Sequence, residues 1–138
     1  MKKKLNCILL VDDDDDCNFF HKRLFKQMDC VEKVEIATDG QEALDFLIST
    51  NDGKHPQPQI ILLDINMPVM NGWEFLDEYE KLEASQKAEI LLVMLTTSLN
   101  PDDRERAKSH SSVGYFQNKL LQEEQFLELL KVHFPDYF

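Results

Sequence analysis

Side chains that can bind cations or phosphate follow four short apolar segments of the chain. They are Asp12, Asp13, Asp64, Thr96 and Lys119. Three carboxylates brought together repel one another by about 4 kcal/mol per pair at ~4 Å, for an effective dielectric constant of about 20. A divalent cation such as Mg2+ relieves this repulsion, because it takes carboxylate, water and phosphate oxygens as ligands. The acidic residues therefore predict a magnesium site.

A carboxylate beside such a cation can also take up a phosphoryl group. Asp64 is the best nucleophile of the set, because it ends the most apolar segment, residues 60–63. Asp12 and Asp13 are an adjacent pair suited to holding the metal. The Thr96 hydroxyl and the Lys119 ammonium can hold phosphoryl oxygens. Together these residues predict an aspartate that accepts phosphoryl groups.

The fold must bring these segment ends together, and the sequence contains a pattern that does so. Short apolar runs alternate with longer amphipathic stretches, which predicts repeated βα units, with five strands and five helices in all. Residues 7–11, 60–63 and 90–95 are apolar throughout, as in central parallel strands covered on both faces. Residues 34–37 and 113–116 are weaker and predict strands nearer the sheet edges. Ligands of such sheets bind at the carboxyl ends of the strands.

Length and charge limit the possible functions. The 138 residues predict a single domain, 1–138, with no internal boundary. A net charge of -11 repels nucleic acid and anionic lipid, so we expect neither as a partner. The apolar run after the N-terminal lysines is too short for a signal peptide, and no run reaches the ~18 residues of a membrane span. We therefore expect a cytoplasmic location.

The remaining reactive side chains have simpler structural interpretations. The odd number of cysteines, without zinc-like spacing, predicts reduced thiols and no disulfide; they are Cys7, Cys17 and Cys30. The scattered histidines predict surface or helix-end positions; they are His21, His55, His110 and His133.

Several residues near the predicted site also have structural interpretations. Residues 14–16 predict a helix cap with acids in the first turn. A calcium loop of the EF-hand kind is disfavoured, because Cys17 occupies the position of its glycine. Gly72 predicts a positive φ angle. Met67, Met70 and Trp73 fit the mouth of the site and ordinary loop packing equally well.

Four sequence blocks, taken together, resemble the receiver domains of two-component response regulators. The blocks are ILLVDD (8–13), LLDINMPVMNG (62–72), LTTS (95–98) and Lys119. Their order and spacing are more specific than any block alone. The resemblance covers about residues 5–134. It implies a flavodoxin-like, doubly wound α/β fold, with a five-stranded parallel sheet of order 2-1-3-4-5 and five helices on both faces.

The resemblance also implies which residues bind phosphate and metal. Asp64 would accept a phosphoryl group from a phosphohistidine on a histidine kinase or a histidine phosphotransfer protein. Asp13, Asp64 and the backbone carbonyl of Asn66 would bind Mg2+, with Asp12 assisting through water.

The resemblance further implies a switch. Thr96 and Lys119 would contact the phosphoryl oxygens, and Phe116 would turn inward after Thr96. Asn66 and Ser98 would flank the path of an attacking water and tune the lifetime of the phosphoryl group. About four residues beyond the last predicted helix are too few for an output module. We therefore expect output through contact of the fourth helix, fifth strand and fifth helix with a downstream protein.

Three other functions are alternatives to the receiver. An aspartyl-phosphate-forming phosphatase typically has a second acid two residues after the nucleophile, where this chain has Asn66. An FMN-binding module needs amides and hydroxyls after the first strand, where this chain has five aspartates. A degenerate receiver acting as a binding module is the third alternative. It arises because Leu120 replaces the proline that usually follows the lysine in a cis peptide bond, and the isomer of Lys119–Leu120 is left open.

Overall fold

The computed structural model describes residues 2–97 and 100–138, in which five strands alternate with five α-helices. The strands are β1 (Leu5–Val11), β2 (Val31–Ala37), β3 (Ile60–Asp64), β4 (Leu91–Thr96) and β5 (Tyr115–Asn118). The helices are α1 (Asp15–Met28), α2 (Gly40–Ile48), α3 (Gly72–Tyr79), α4 (Pro101–Lys108) and α5 (Glu123–His133). The predicted number of strands and helices is confirmed.

The strands form one parallel sheet in the order β2-β1-β3-β4-β5. This confirms the order implied by the resemblance and the edge positions of the two weaker segments. Every residue of β3 and β4 is buried, because helices cover both faces. All five carboxyl ends lie at the same edge of the sheet, since the strands are parallel.

The two faces of the sheet carry separate apolar clusters. Alternate residues of β1 point to opposite faces, so Ile8 joins the cluster under α1 and α5, while Leu9 joins the cluster under α2 and α3. Phe25 and Phe126 pack in the first cluster, with ring centroids 4.8 Å apart. Phe75 is fully buried in the second. The sheet is therefore held rigidly between two helical layers.

Some strand boundaries differ from the predicted ones. β5 lies two residues later than residues 113–116, so Lys119 follows it directly. β4 ends at Thr96, one residue later than predicted, and β2 starts at Val31 rather than at residue 34. The edge strands are only partly buried, so their hydrophobicity does not mark their ends. Pairing sets β5 instead, with Thr96 opposite Asn118.

Side-chain caps start the helices directly after the loops at this edge. Asp14 caps α1 by accepting hydrogen bonds from the backbone N–H groups of Asp16 and Cys17, which confirms the interpretation of residues 14–16. Asn71 and Glu74 form a reciprocal capping box at α3. The loops after β1 (residues 12–14) and after β3 (residues 65–71) therefore each end in a residue that caps the following helix.

All three cysteines are free thiols. Cys7 and Cys30 are buried, which raises the pKa of each thiol to about 11, while Cys17 is half-buried. Within residues 2–97 and 100–138, no helix has the length and apolar character needed to cross a membrane.

Candidate functional site

Three carboxylates meet at the carboxyl edge of the sheet, as predicted. Asp12, Asp13 and Asp64 each place one oxygen within 4.8 Å of the others. The cause is the pairing of β1 with β3, which sets Val11 beside Leu63, so the acids that follow these residues are neighbours. Asp12 and Asp64 are buried, whereas Asp13 is exposed. The cluster therefore has two inner acids and one at its entrance.

Lys119 lies between the two inner acids. Its Nζ is 2.6 Å from Oδ2 of Asp12 and 3.2 Å from Oδ1 of Asp64, and its side chain is only 7% exposed. Burial alone would lower the pKa of this ammonium. The hydrogen bond to Asp12 and the charge of Asp64 outweigh burial, so the pKa lies above its ordinary value. Lys119 therefore remains charged.

The pKa of Asp64 is raised to about 6, chiefly by burial and then by the charge of Asp12. Lys119 opposes the shift without cancelling it. Three carboxylates and one ammonium leave the cluster negative, so a further cation is favourable. The donors are all carboxylate oxygens, one of them open to water, and this set suits Mg2+ or Mn2+.

Backbone contacts fix the orientation of Asp12. Its Oδ1 accepts a hydrogen bond from the backbone N–H of Asp14 at 3.0 Å, which leaves Oδ2 for Lys119. The side-chain amide of Asn18 donates to the Asp12 carbonyl at 2.8 Å. The loop after β1 is therefore held from both its strand and its helix.

Gly72 is needed for a close approach of two backbone segments. A Cβ atom at Gly72 would lie 2.5 Å from the carbonyl oxygen of Asp64. Gly72 does not have a positive φ angle, so that prediction was wrong. The residue of this loop with a positive φ angle is Val69, at 65°. Gly72 instead lets the start of α3 pass against the end of β3. A larger residue would displace the backbone of Asp64.

The three residues that fit either the mouth of the site or ordinary packing all belong to the apolar core or pack against it. Met67 and Met70 are partly buried against the apolar cluster on the α2–α3 face, and Trp73 belongs to that cluster. A Cβ atom at Gly40 would lie 2.8 Å from the Met70 side chain, so the two loops interlock there. These contacts favour the packing interpretation.

Thr96 and Phe116 lie on the strands beside the cluster. Thr96 is fully buried at the end of β4, and its carbonyl accepts a hydrogen bond from the Lys119 N–H at 2.8 Å. Phe116 is half-buried on β5, opposite Met94, and the Arg104 guanidinium of α4 lies 5.1 Å from its ring centroid. The switch role of Phe116 stays a prediction.

Three further expectations concern the loops around the cluster. The Lys119–Leu120 peptide bond is cis, which answers the question left open by the sequence. Asn66 is exposed in the loop after β3, and the role of its carbonyl as a metal ligand stays a prediction. Ser98 lies outside the described residues.

Sequence reasoning missed two buried polar residues of α1. His21 is 1% exposed, so its predicted surface position was wrong, and Asn18 is 4% exposed. The Nε2 atom of His21 accepts a hydrogen bond from the Leu121 N–H at 3.2 Å. Both residues share the buried stripe with Leu24 and Phe25. Their spacing from Leu24 and Phe25 is helical, so it predicts burial of both residues if polar side chains are counted in the buried stripe. The other three histidines are partly exposed.

Comparison with known proteins agrees with this geometry. The family model described as the response regulator receiver domain matches residues 8–131. The chain belongs to the response regulator receiver domains. Members of this family are signalling phosphoacceptors, and they receive phosphoryl groups from histidine kinases or phosphotransfer proteins.

Among the relatives of this receiver domain, the probable methanogenesis regulatory protein FilR2 of Methanothrix harundinacea is 32% identical over 117 residues. That match covers 85% of this chain and 74% of FilR2. Response regulator Rcp1 of Synechocystis is 34% identical over 97 residues, covering 70% of this chain and 65% of Rcp1.

Two solved structures have the same fold. A two-component response regulator from Cytophaga hutchinsonii has a TM-score of 0.78 and 28% identity, with 94% of this chain and 97% of that chain covered. The Mn(2+)-bound form of Rcp1 has a TM-score of 0.69 and 27% identity, with 92% and 90% covered.

Proposed function

We propose that Asp64 is the phosphoacceptor of this receiver domain and that Asp13 and Asp64 bind Mg2+ beside it, with Asp12 assisting through water. One observation carries the proposal: Lys119 Nζ lies between Asp12 and Asp64, in a cluster whose three carboxylates are within 4.8 Å of one another. A structural role alone would need neither the third carboxylate nor the excess negative charge.

The protonation state of Asp64 suits a nucleophile. With a pKa of about 6, its carboxylate is mostly ionised at pH 7.5. One Oδ atom forms the new bond to phosphorus, while the bond from phosphorus to the donor imidazole nitrogen breaks and its electron pair stays on that nitrogen. The product is an aspartyl phosphate on Asp64. The donor is a phosphohistidine on a histidine kinase or a histidine phosphotransfer protein.

The metal site follows from the donor set. Asp13 and Asp64, with the Asn66 carbonyl, would hold Mg2+, and Asp12 would assist through water. When bound, Mg2+ supplies charge neutralisation for the phosphoryl oxygens and the carboxylates. The Mn(2+)-bound form of Rcp1 supports a divalent cation in a protein of this fold. Lys119 Nζ and the Thr96 hydroxyl contact the remaining phosphoryl oxygens.

The response to phosphorylation passes from the site to a protein surface. The new phosphoryl group adds about -1.5 to -2 charges to an acidic site, so it draws the Thr96 hydroxyl and the Lys119 ammonium towards its own oxygens. Phe116 follows Thr96, and the surface of α4, β5 and α5 changes with it. Residues 1–138 act here as one receiver domain in the cytoplasm, and a downstream protein, rather than nucleic acid or a membrane, reads this surface.

Intact-mass measurement after incubation with Mg2+ and a small-molecule phosphodonor tests the proposal. We expect one phosphoryl group on the wild-type chain and none on Asp64→Asn, because the amide is not a nucleophile for this transfer. Asp52→Asn is the matched control. It removes an exposed carboxylate from the loop before β3, and we expect it to be labelled like the wild type. Equal labelling of Asp64→Asn would remove Asp64 from its role.

A further inference from the structure

One face of α1 contacts two of the loops that form the site. Asn18 and His21 are three residues apart, so their side chains lie one above the other on the helix. Asn18 donates to the carbonyl of Asp12, and His21 accepts from the backbone N–H of Leu121. α1 therefore links the loop after β1 to the loop after β5.

The hydrogen bond between His21 and Leu121 joins two buried groups. Leu121 is fully buried. The His21 ring is stacked near Phe25, with centroids 6.4 Å apart, and meets the edge of Phe20 at 5.6 Å. An apolar residue at position 21 would leave the Leu121 N–H buried without this acceptor.

The charge state of the ring agrees with its role as acceptor. Because a backbone N–H donates to Nε2, this nitrogen is unprotonated and the neutral ring carries its proton on Nδ1. Burial lowers the pKa of His21 to about 4. The charge of Asp12 opposes this shift, and that of Lys119 adds to it. The ring is therefore neutral at physiological pH.

Lys119 lies at the start of the segment that His21 holds. The Lys119 N–H donates to the Thr96 carbonyl at 2.8 Å, and the Leu121 N–H donates to His21. Residues 119–121 are thereby attached to β4 at one end and to α1 at the other. Leu120, between these anchors, is 36% exposed. With both anchors in place, the Lys119 side chain leaves the backbone from a fixed point.

We propose that His21 is a positioning residue for phosphoryl transfer. It holds residues 119–121 through the Leu121 N–H, so that Lys119 Nζ stays between Asp12 and Asp64. The inference rests on the proposed function, and it assigns a role to a histidine that does not itself contact the phosphoryl group.

The test compares initial rates of phosphorylation at saturating Mg2+ with a small-molecule phosphodonor. His21→Leu removes the acceptor, and we expect it to slow labelling roughly tenfold, because Lys119 Nζ is displaced. His21→Gln places an oxygen near the position of Nε2, and we expect it to restore most of the rate. We expect Lys119→Ala to accept a phosphoryl group more slowly than the wild type, and in that background we expect His21→Leu to have no further effect.

Several results would overturn the inference: a wild-type rate for His21→Leu, no recovery with His21→Gln, or the same slowing in both backgrounds. If His21→Leu does not fold, the nitrogen NMR spectrum of the wild-type His21 ring decides. We expect unprotonated Nε2 at pH 7, and protonated Nε2 would refute the hydrogen bond.

A wild-type chain without label would refute the proposed function and this role together. A labelled wild type with an equally fast His21→Leu would refute only the role of His21.

Discussion

Asp12 and Asp64 share one ammonium in a buried pocket, and this arrangement makes the site responsive to charge. Lys119 contacts both acids, so its replacement by an uncharged residue would leave two buried carboxylates without their cationic partner. Burial, and then the charge of Asp12, raise the pKa of Asp64 although Lys119 opposes the shift. At the scale of single residues, the site is built to take up another positive charge and then a phosphoryl group.

The buried His21 ring gives a prediction for the dependence of stability on pH. Its pKa is about 4 in the folded chain and near 6.5 when exposed, so protonation favours unfolding. Above about pH 6.5 the ring does not lower the free energy of unfolding. As the pH falls towards 4, protonation of the ring lowers the free energy of unfolding by up to about 3 kcal/mol. The charged groups that face the ring are Asp12 and Lys119, and both are unchanged in His21→Gln.

Urea unfolding of the wild type and of His21→Gln at pH 7 and pH 4.5 measures this contribution. Glutamine does not titrate, so we expect the wild type to lose more stability than His21→Gln over this interval. Parallel losses in the two proteins would show that His21 is not held neutral in the folded state.

Among the helices, α4 is the least firmly held. Its only buried residue is Ala107, whereas α5 buries Phe126, Leu129 and Leu130. The Arg106 guanidinium lies 4.5 Å from the centroid of the Trp73 ring and supplies an additional contact with α3. α4 therefore buries little apolar surface, and the cation–π contacts of Arg104 with Phe116 and of Arg106 with Trp73 add to its attachment.

Hydrogen exchange of Arg106→Ala tests this attachment. A cation–π contact at an exposed site contributes about 0.5–1 kcal/mol, so we expect exchange of the α4 amides to accelerate roughly two- to fivefold. The α5 amides should be unaffected. Lys108→Ala, in the same helix, is the matched control and should leave α4 exchange near the wild-type rate. Equal effects of both substitutions would show that the Trp73 contact does not hold α4.

The central strands could be predicted from the sequence, and the edge strands only in part. β1, β3 and β4 are buried on both faces, so an unbroken apolar run marks them. β5 is half-exposed, and its bounds depend on pairing with β4, which no local pattern records. The acids and Lys119 could be predicted because they follow these strands directly or closely.

Other features of the site depend on contacts distant in sequence. Gly72 faces the backbone of Asp64, and its need for glycine is a matter of proximity after folding. His21 meets Leu121, 100 residues away, so nothing near it in the sequence indicates burial except the spacing of its helix. These are the positions where local patterns led to the wrong expectation.

The whole molecule carries a net charge of -11, and part of that charge is concentrated at one edge of the sheet. A ligand that binds only the folded chain raises its stability, by about 2.7 kcal/mol at 100 times its dissociation constant. We therefore expect Mg2+ to raise the thermal unfolding midpoint of the wild type, and to raise that of Asp13→Asn much less.

Asp52→Asn controls for the loss of one negative charge elsewhere on the molecule. It should respond to Mg2+ like the wild type, because Asp52 is an exposed residue in the loop before β3. An identical response in Asp13→Asn would mean that Mg2+ acts on the overall charge rather than at the acidic cluster.

Locating the phosphoryl group tests the account most directly. Borohydride reduces an aspartyl phosphate to homoserine, so peptide mass spectrometry of the phosphorylated and reduced chain identifies the acceptor. We predict homoserine at position 64 alone, and only when Mg2+ is present during phosphorylation. Homoserine at position 12 or 13, or equal labelling without Mg2+, would contradict the central claim that this acidic cluster is a metal-dependent phosphoacceptor site.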